Sequence, residues 1–288
     1  MAVWNIGMYS KSATESSKSV LIEILRILGS YRDYLVLTGG WAPHFILEKF
    51  GKGGQHCGSV DIDFVLNPRL IDLKVYETIV SLIEKRGYRP YVSDSGEVLP
   101  YRFYRSVKSP LDDMEYVIEV DFISEPDVVK RLLPDKFLAV QKDLQAVVIH
   151  GSSVVFSHNF EHKIKGVLPN GAETRTLAKI SDVVGSLATK GLALKGRYKE
   201  KDAYDVYLVL RYYRGGPEKV AEEVRGFLGE SVVAEALEEI RDKFRSVRSE
   251  GPFQVAYFLA PEDERLRERI QGEAYAVSKA FFDNLEDQ

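Results

Sequence analysis

The chain is nearly devoid of cysteine, with Cys57 the single one in 288 residues. That excludes an internal disulfide framework and suits a reducing compartment. No stretch reaches the roughly 18 consecutive apolar residues of a membrane span, and the N-terminus has no charged segment leading into an apolar one. The expectation is an intracellular, cytoplasmic protein. Histidine is also sparse, at five residues, and His150, His158 and His162 form no zinc spacing with any cysteine. Internal repeats and low-complexity tracts are missing too, which leaves no ground for an array architecture. Excess positive charge is absent: the formal net charge is −4, so any nucleic-acid contact must be a local patch.

What the chain does have is enough apolar content, 45%, to bury a sizeable core in one large or two small domains. Apolar residues at helical spacing predict helices over Thr14–Leu28 and Arg69–Lys85, the second marked by Leu70, Leu73, Tyr76, Ile79, Leu82 and Ile83. Strands are expected at 34–38, 61–65, 88–92, 101–107 and 116–123, and Asn170-Gly171 suits the type I′ turn of a hairpin joining 164–168 to 174–180. After Ile180 the pattern turns helical, with Ser181-Asp182 as a cap and further helices over Val220–Leu228, Val232–Phe244 and Glu264–Leu285. The fold class read from this order is α/β (α+β), a mixed sheet with helices packed on it, divided into 1–180 and a helical 181–288.

Two stretches carry chemistry. In Thr38-Gly39-Gly40-Trp41 a short strand runs into two glycines and then a helix over Trp41–Phe50. Glycine lets backbone N–H groups approach an anion, and the start of a helix favours negative charge. Some twenty residues on, Ser59-Val60-Asp61-Ile62-Asp63-Phe64 places two acids on one face of a strand. Like charges so close raise each other's pKa unless a cation neutralises them, and oxygen-only sites suit Mg²⁺ arriving with substrate phosphates. A third acid comes with Ile118-Glu119-Val120-Asp121-Phe122, where Glu119 and Asp121 share the face opposite the apolar residues. If this strand lies beside the Asp61/Asp63 strand, the acids suffice for two metal ions.

Gly39-Gly40, then Ser59-x-Asp61-x-Asp63, then an acid on a later strand resembles the nucleotidyltransferase superfamily whose founding member is DNA polymerase β. A later run, Lys190-x-x-Ala193-x-x-x-Arg197-x-x-x-Lys201-Asp202-x-x-Asp205, is similar to the fourth motif of its AbiEii-type branch, nucleotidyltransferases known as toxins of toxin–antitoxin pairs. The loop over 51–57 is longer than the superfamily's usual gap, and Cys57 stands where many AbiEii-like chains have an arginine.

The resemblance implies a nucleotidyltransferase domain followed by a helical domain that adds Lys190 and Asp205 to the active site. It implies Asp61, Asp63 and Asp121 as catalytic residues and ligands of two Mg²⁺ ions. Gly39, Gly40, Ser59, Lys190 and Lys201 would bind the nucleotide, and Asp205 would support catalysis. The implied activity moves an NMP from an NTP to a tRNA end, a protein or a nucleotide, with an antitoxin protein as a possible partner and no membrane. Without the resemblance, Lys190–Tyr207 reads as a solvated helix laced with intrahelical ion pairs such as Lys201–Asp205. Likewise, Tyr101-Arg102-Phe103-Tyr104-Arg105 reads either as a groove for bases and phosphates or as an amphipathic strand. A catalytically inactive nucleotide- or partner-binding module is the alternative of another class. A phosphohydrolase lacks its nucleophile motif and His-Asp cluster here.

Overall fold

The computed structural model describes residues 5–72, 78–109, 111–125 and 137–286 of a mixed α/β protein. They fall into two compact units, one of residues 11–41 and 59–181, the other of 1–10, 42–58 and 182–288. The division is not a single cut near 180: the segment 42–58 groups with the C-terminal helices.

The first unit carries β1 (Leu35–Leu37), β2 (Ile62–Leu66), β3 (Arg89–Val92), β4 (Val98–Lys108), β5 (Glu115–Ser124), β6 (Phe137–Gln141), β7 (Leu144–Val148), β8 (Asn159–Val167) and β9 (Glu173–Ser181). They form one mixed sheet in the order β3-β4-β5-β2-β1-β9-β8, with β7 also pairing β5 and β6 pairing β7. β2 runs parallel to β5 and antiparallel to β1, while β8 and β9 make the expected hairpin. On β5 the alternation sets the facing: Ile118, Val120 and Phe122 are buried and Glu119 and Asp121 point the other way. Helix α1 (Lys11–Ile27) packs on this sheet and buries Val20, Leu21 and Ile24. Each of these fully buried side chains stabilises the fold by about 1.5–3 kcal/mol.

Two expectations change here. The second helix does not run unbroken from Arg69: a 3₁₀ turn occupies Pro68–Asp72, and α3 starts afresh at Ile79 (Ile79–Glu84). Its N-cap Thr78 is extended and accepts a hydrogen bond from the Ser81 N–H, which ends any helix arriving from before it. Leu73 and Tyr76, expected in that helix, lie outside the described residues. The β6/β7 hairpin was not expected, because its apolar runs carry no clean alternation.

The second unit contains α2 (Trp41–Phe50, from Ala42 on), α4 (Val183–Gly196), α5 (Glu200–Tyr212), α6 (Pro217–Val224), α7 (Ser231–Lys243), α8 (Glu250–Leu259) and α9 (Glu264–Glu286). α4 begins where the Asp182 carboxylate accepts from the Val184 and Gly185 N–H groups. It packs against α7 so closely that a Cβ at Gly191 would lie 2.4 Å from the Ala236 carbonyl oxygen. Among the described residues no helix is long and apolar enough to cross a membrane.

Candidate functional site

The two clusters named from the sequence fall on different units. In the sheet unit, Asp63 of β2 and Asp121 of β5 are register partners on adjacent parallel strands, so both carboxylates rise from one face. On the far side of β5, Arg102 of β4 is the register partner of Asp121. Its guanidinium forks onto that carboxylate, Nε to Oδ1 at 2.7 Å and Nη2 to Oδ2 at 2.6 Å, and its Nη1 lies 2.8 Å from Glu119 Oε2. The result is a row Asp63–Asp121–Arg102 across three strands, with Glu119 beside it. Half-burial of Arg102 opposes its charge, but Asp121 and then Glu119 outweigh that and hold it protonated.

Asp61 precedes β2 rather than lying within it, and it accepts a 2.5 Å hydrogen bond from the fully buried Ser59 hydroxyl. Ser59, assigned to the nucleotide by resemblance, thus has its hydroxyl directed at Asp61. Gly39 has φ +61°, and a Cβ built there would sit 1.9 Å from Asp63 Oδ2. The glycine is required both by its left-handed backbone and by this close approach. Gly39→Ala should therefore cost about 1–3 kcal/mol and push Asp63 off its register with Asp121. Urea unfolding reads the first effect and a transfer assay the second; a variant of unchanged stability would contradict the packing described.

The chain matches no protein-family model and no curated protein.

In the helical unit, Lys190, Lys201, Asp202 and Asp205 are all buried. Lys190 Nζ donates to Asp202 Oδ1 at 2.7 Å and lies 2.7 Å from Asp205 Oδ2, an ion pair without hydrogen-bond alignment. Lys201 Nζ bonds Asp205 Oδ1 at 2.7 Å, and Arg197 Nε bonds Asp202 Oδ2 at 2.8 Å. The i, i+4 pairing is present, but the expectation of a solvated helix is corrected. α5 buries Glu200 to Leu210, so its charged face closes on α4 instead of on water. Burial alone would raise both carboxyls; Lys190 and then Arg197 hold Asp202 down at about 2, and Lys190, Lys201 and His56 hold Asp205 well below the usual carboxylate range. Burial would lower Lys190, and Asp202 and Asp205 raise it above its ordinary value instead.

The residue the sequence did not point to is His56. It ends the loop over 51–57 that looked like extra length, and it is fully buried, with Nε2 2.8 Å from Asp205 Oδ1. The Gly58 N–H donates to Nδ1 at 3.0 Å, so Nδ1 carries no proton and Nε2–H donates to Asp205. The Cys57 N–H, bonded to the Tyr204 hydroxyl at 3.2 Å, pins the same loop. Nothing local in Gln55-His56-Cys57 announces a partner 149 residues away.

Burial and then Lys201 push His56 down from 6.5 to about 4, so the folded protein keeps it neutral where the unfolded chain protonates it. The unfolded state binds the extra proton, so stability rises with pH across this interval. The contribution is fully present above about pH 6.5 and falls by about 3 kcal/mol as pH drops to about 4. Urea unfolding at pH 7.5 and 4.5 should show that loss in the wild type and a smaller one in His56→Asn, which has no imidazole to protonate. Equal losses would contradict the assignment.

Proposed function

We propose that the acid row of the sheet unit is the centre of a nucleotidyltransferase, which moves an NMP from an NTP to an acceptor hydroxyl and releases pyrophosphate. The observation that carries the reading is the in-register pairing of Asp63 with Asp121, with Gly39 held against Asp63. The sheet unit is then the nucleotidyltransferase domain, and the helices after Asp182 form most of the helical one.

The donor set is chemically suited to Mg²⁺, being oxygen only, with Asp63 and Asp121 as the residues that would hold it and Asp61 two residues before Asp63 in the chain. Among the described residues no group of three or more His, Cys, Asp or Glu side chains stands as a ready metal cage, and Arg102 holds both oxygens of Asp121. Bound there, Mg²⁺ would supply charge neutralisation at the transferring phosphoryl group. The protein's own part is positioning: the strand pairing fixes Asp63 relative to Asp121, the Ser59 hydroxyl orients Asp61, and the Gly39-Gly40 turn offers backbone N–H groups to phosphate. Lys190 and Lys201, in this reading, first of all hold the ion network of their own unit.

The test is incubation with each α-labelled NTP, Mg²⁺ and total RNA or protein, asking which macromolecule takes up label. A tRNA end, a protein hydroxyl or a nucleotide would each be an acceptor consistent with the proposal, and a toxin role would follow only if that acceptor is essential. One observation favours a second reading, a binding module without transfer: the Arg102 guanidinium already supplies the acids with a countercharge. Saturable NTP binding with no label transferred from any NTP would select it.

A further inference from the structure

The sheet unit has a second feature that the acid row does not use, a cavity of about 860 Å³ between the C-terminal end of α1, the segment after α3, and the β8/β9 turn. Five cations line it, Arg26, Arg32, Lys85, Arg86 and Arg105, against one carboxylate, Glu23. In a chain of net charge −4 this is a pronounced local excess of positive charge. Glu23 is engaged with Arg105, Oε2 to Nε at 3.3 Å, and Arg26 donates to the neutral Thr174 hydroxyl at 2.7 Å. Among the described residues no acid pairs with Arg86, while Arg32 interacts with the charge of its neighbour Asp33, whose carboxylate is bonded to Lys179 at 3.0 Å. The end of α1 contributes the negative pole of its dipole, which offsets only part of this charge.

Arg105 and Arg102 are three residues apart on β4 and so project from opposite faces of the sheet. Arg105 meets Glu23 of α1 on one face, while Arg102 meets Asp121 on the other. The cavity therefore lies across the sheet from the acid row, whose carboxylates do not neutralise it. Its volume falls in the range of small-ligand sites, about 300–1,000 Å³. Among the described lining residues there is no aromatic ring on which a base would stack, while guanidinium forks match phosphate oxygens.

We propose that this cavity binds a small oligophosphate anion, recognised through its phosphates and not through a base, at a site separate from the proposed transfer centre. The ligand could be a free polyphosphate or the phosphate tail of a nucleotide, since both present the same chemistry.

The test is calorimetric titration of the full-length protein with inorganic tripolyphosphate in EDTA, at fixed ionic strength, with ATP, adenosine and a single-stranded RNA oligomer as further arms. Saturable one-to-one binding is expected for tripolyphosphate, with none for adenosine. ATP bound as tightly as tripolyphosphate would mean that a nucleotide tail serves equally; weaker ATP binding would point to the free polyphosphate, and both outcomes support the site. Arg86→Ala and Arg26→Ala should each weaken binding by roughly ten- to a hundredfold, the loss of one charge-assisted contact. Arg86 is exposed and pairs with no acid among the described residues, so that variant should fold normally. Asp63→Asn should leave tripolyphosphate affinity unchanged, which separates this site from the transfer centre whether or not transfer occurs. The proposal is overturned by three results: no saturable tripolyphosphate binding, affinity insensitive to both arginine variants, or RNA bound at least tenfold more tightly than tripolyphosphate and displaced by it.

Discussion

Lys190→Ala should lower the unfolding free energy by about 3–5 kcal/mol, because it leaves Asp202 and Asp205 buried with one cation fewer. The exposed Lys195, which pairs with Glu235 and Glu239 at the surface, is the internal control. Its replacement by alanine should cost far less, since water screens such pairs and replaces them. Lys190→Met, which keeps most of the side chain's length and bulk and removes the ammonium group, should behave like Lys190→Ala and so exclude a large cavity as the main cause. Urea midpoints at pH 7.5 decide between the two lysines. Equal, small losses at both would mean that the network is not a buried one. Titrating folded Lys190→Met with a nonhydrolysable NTP then addresses the phosphate role implied by resemblance: unchanged affinity assigns Lys190 to the ion network alone.

Asp63→Asn has the largest expected effect on activity. The substitution keeps the shape of the side chain against Gly39 and the strand register, yet removes the charge that the proposed centre needs beside Asp121. Transfer should fall by at least about 10²–10³-fold, the scale on which removing one preorganised electrostatic group from a transition state is felt. Stability should hold or rise slightly, because one of two neighbouring carboxylates is gone. Activity within a few-fold of wild type, in a folded variant, would sink the assignment of the centre.

Where local chemistry decides structure, the sequence carries it. Residues 41–50 are helical over the bounds their pattern implies, α4 starts at the Asp182 cap, and β8 and β9 form the expected hairpin, although its turn is not type I′: the Gly171 N–H donates to the Leu168 carbonyl, which centres the turn on Pro169-Asn170, and of Asn170 and Gly171 only the glycine has a positive φ. The acids of β5 face the way their alternation predicts, and β5 lies beside β2 as the converging-acid argument required. What stayed hidden depends on contacts distant in sequence. Arg102 reads as one cation among aromatics, and only the β4/β5 register brings it onto Asp121 and Glu119. Both it and Arg105 are bound to acids, so neither reading of that strand, open groove or solvated face, described its cations fully. His56 looked like part of an inserted loop because its partner comes from α5. Helix α8 was concealed by Gly251 and Pro252 near its start, residues that locally argue against a helix but are tolerated in a first turn. The break between α4 and α5 lies in a charge-rich run with no proline, so only the extended backbone of Arg197 and Lys199 reveals it.

The central claim is that the Asp63–Asp121 row transfers a nucleoside monophosphate, and a double-label experiment tests it most directly. The protein is incubated with Mg²⁺, the acceptor fraction and one NTP labelled separately at the α and γ phosphates, alongside Asp63→Asn. The account predicts α label in the acceptor, γ label in pyrophosphate in equal amount, and neither product with the variant. Label from the γ position in the acceptor or in orthophosphate, or equal α-label transfer by Asp63→Asn, would contradict it.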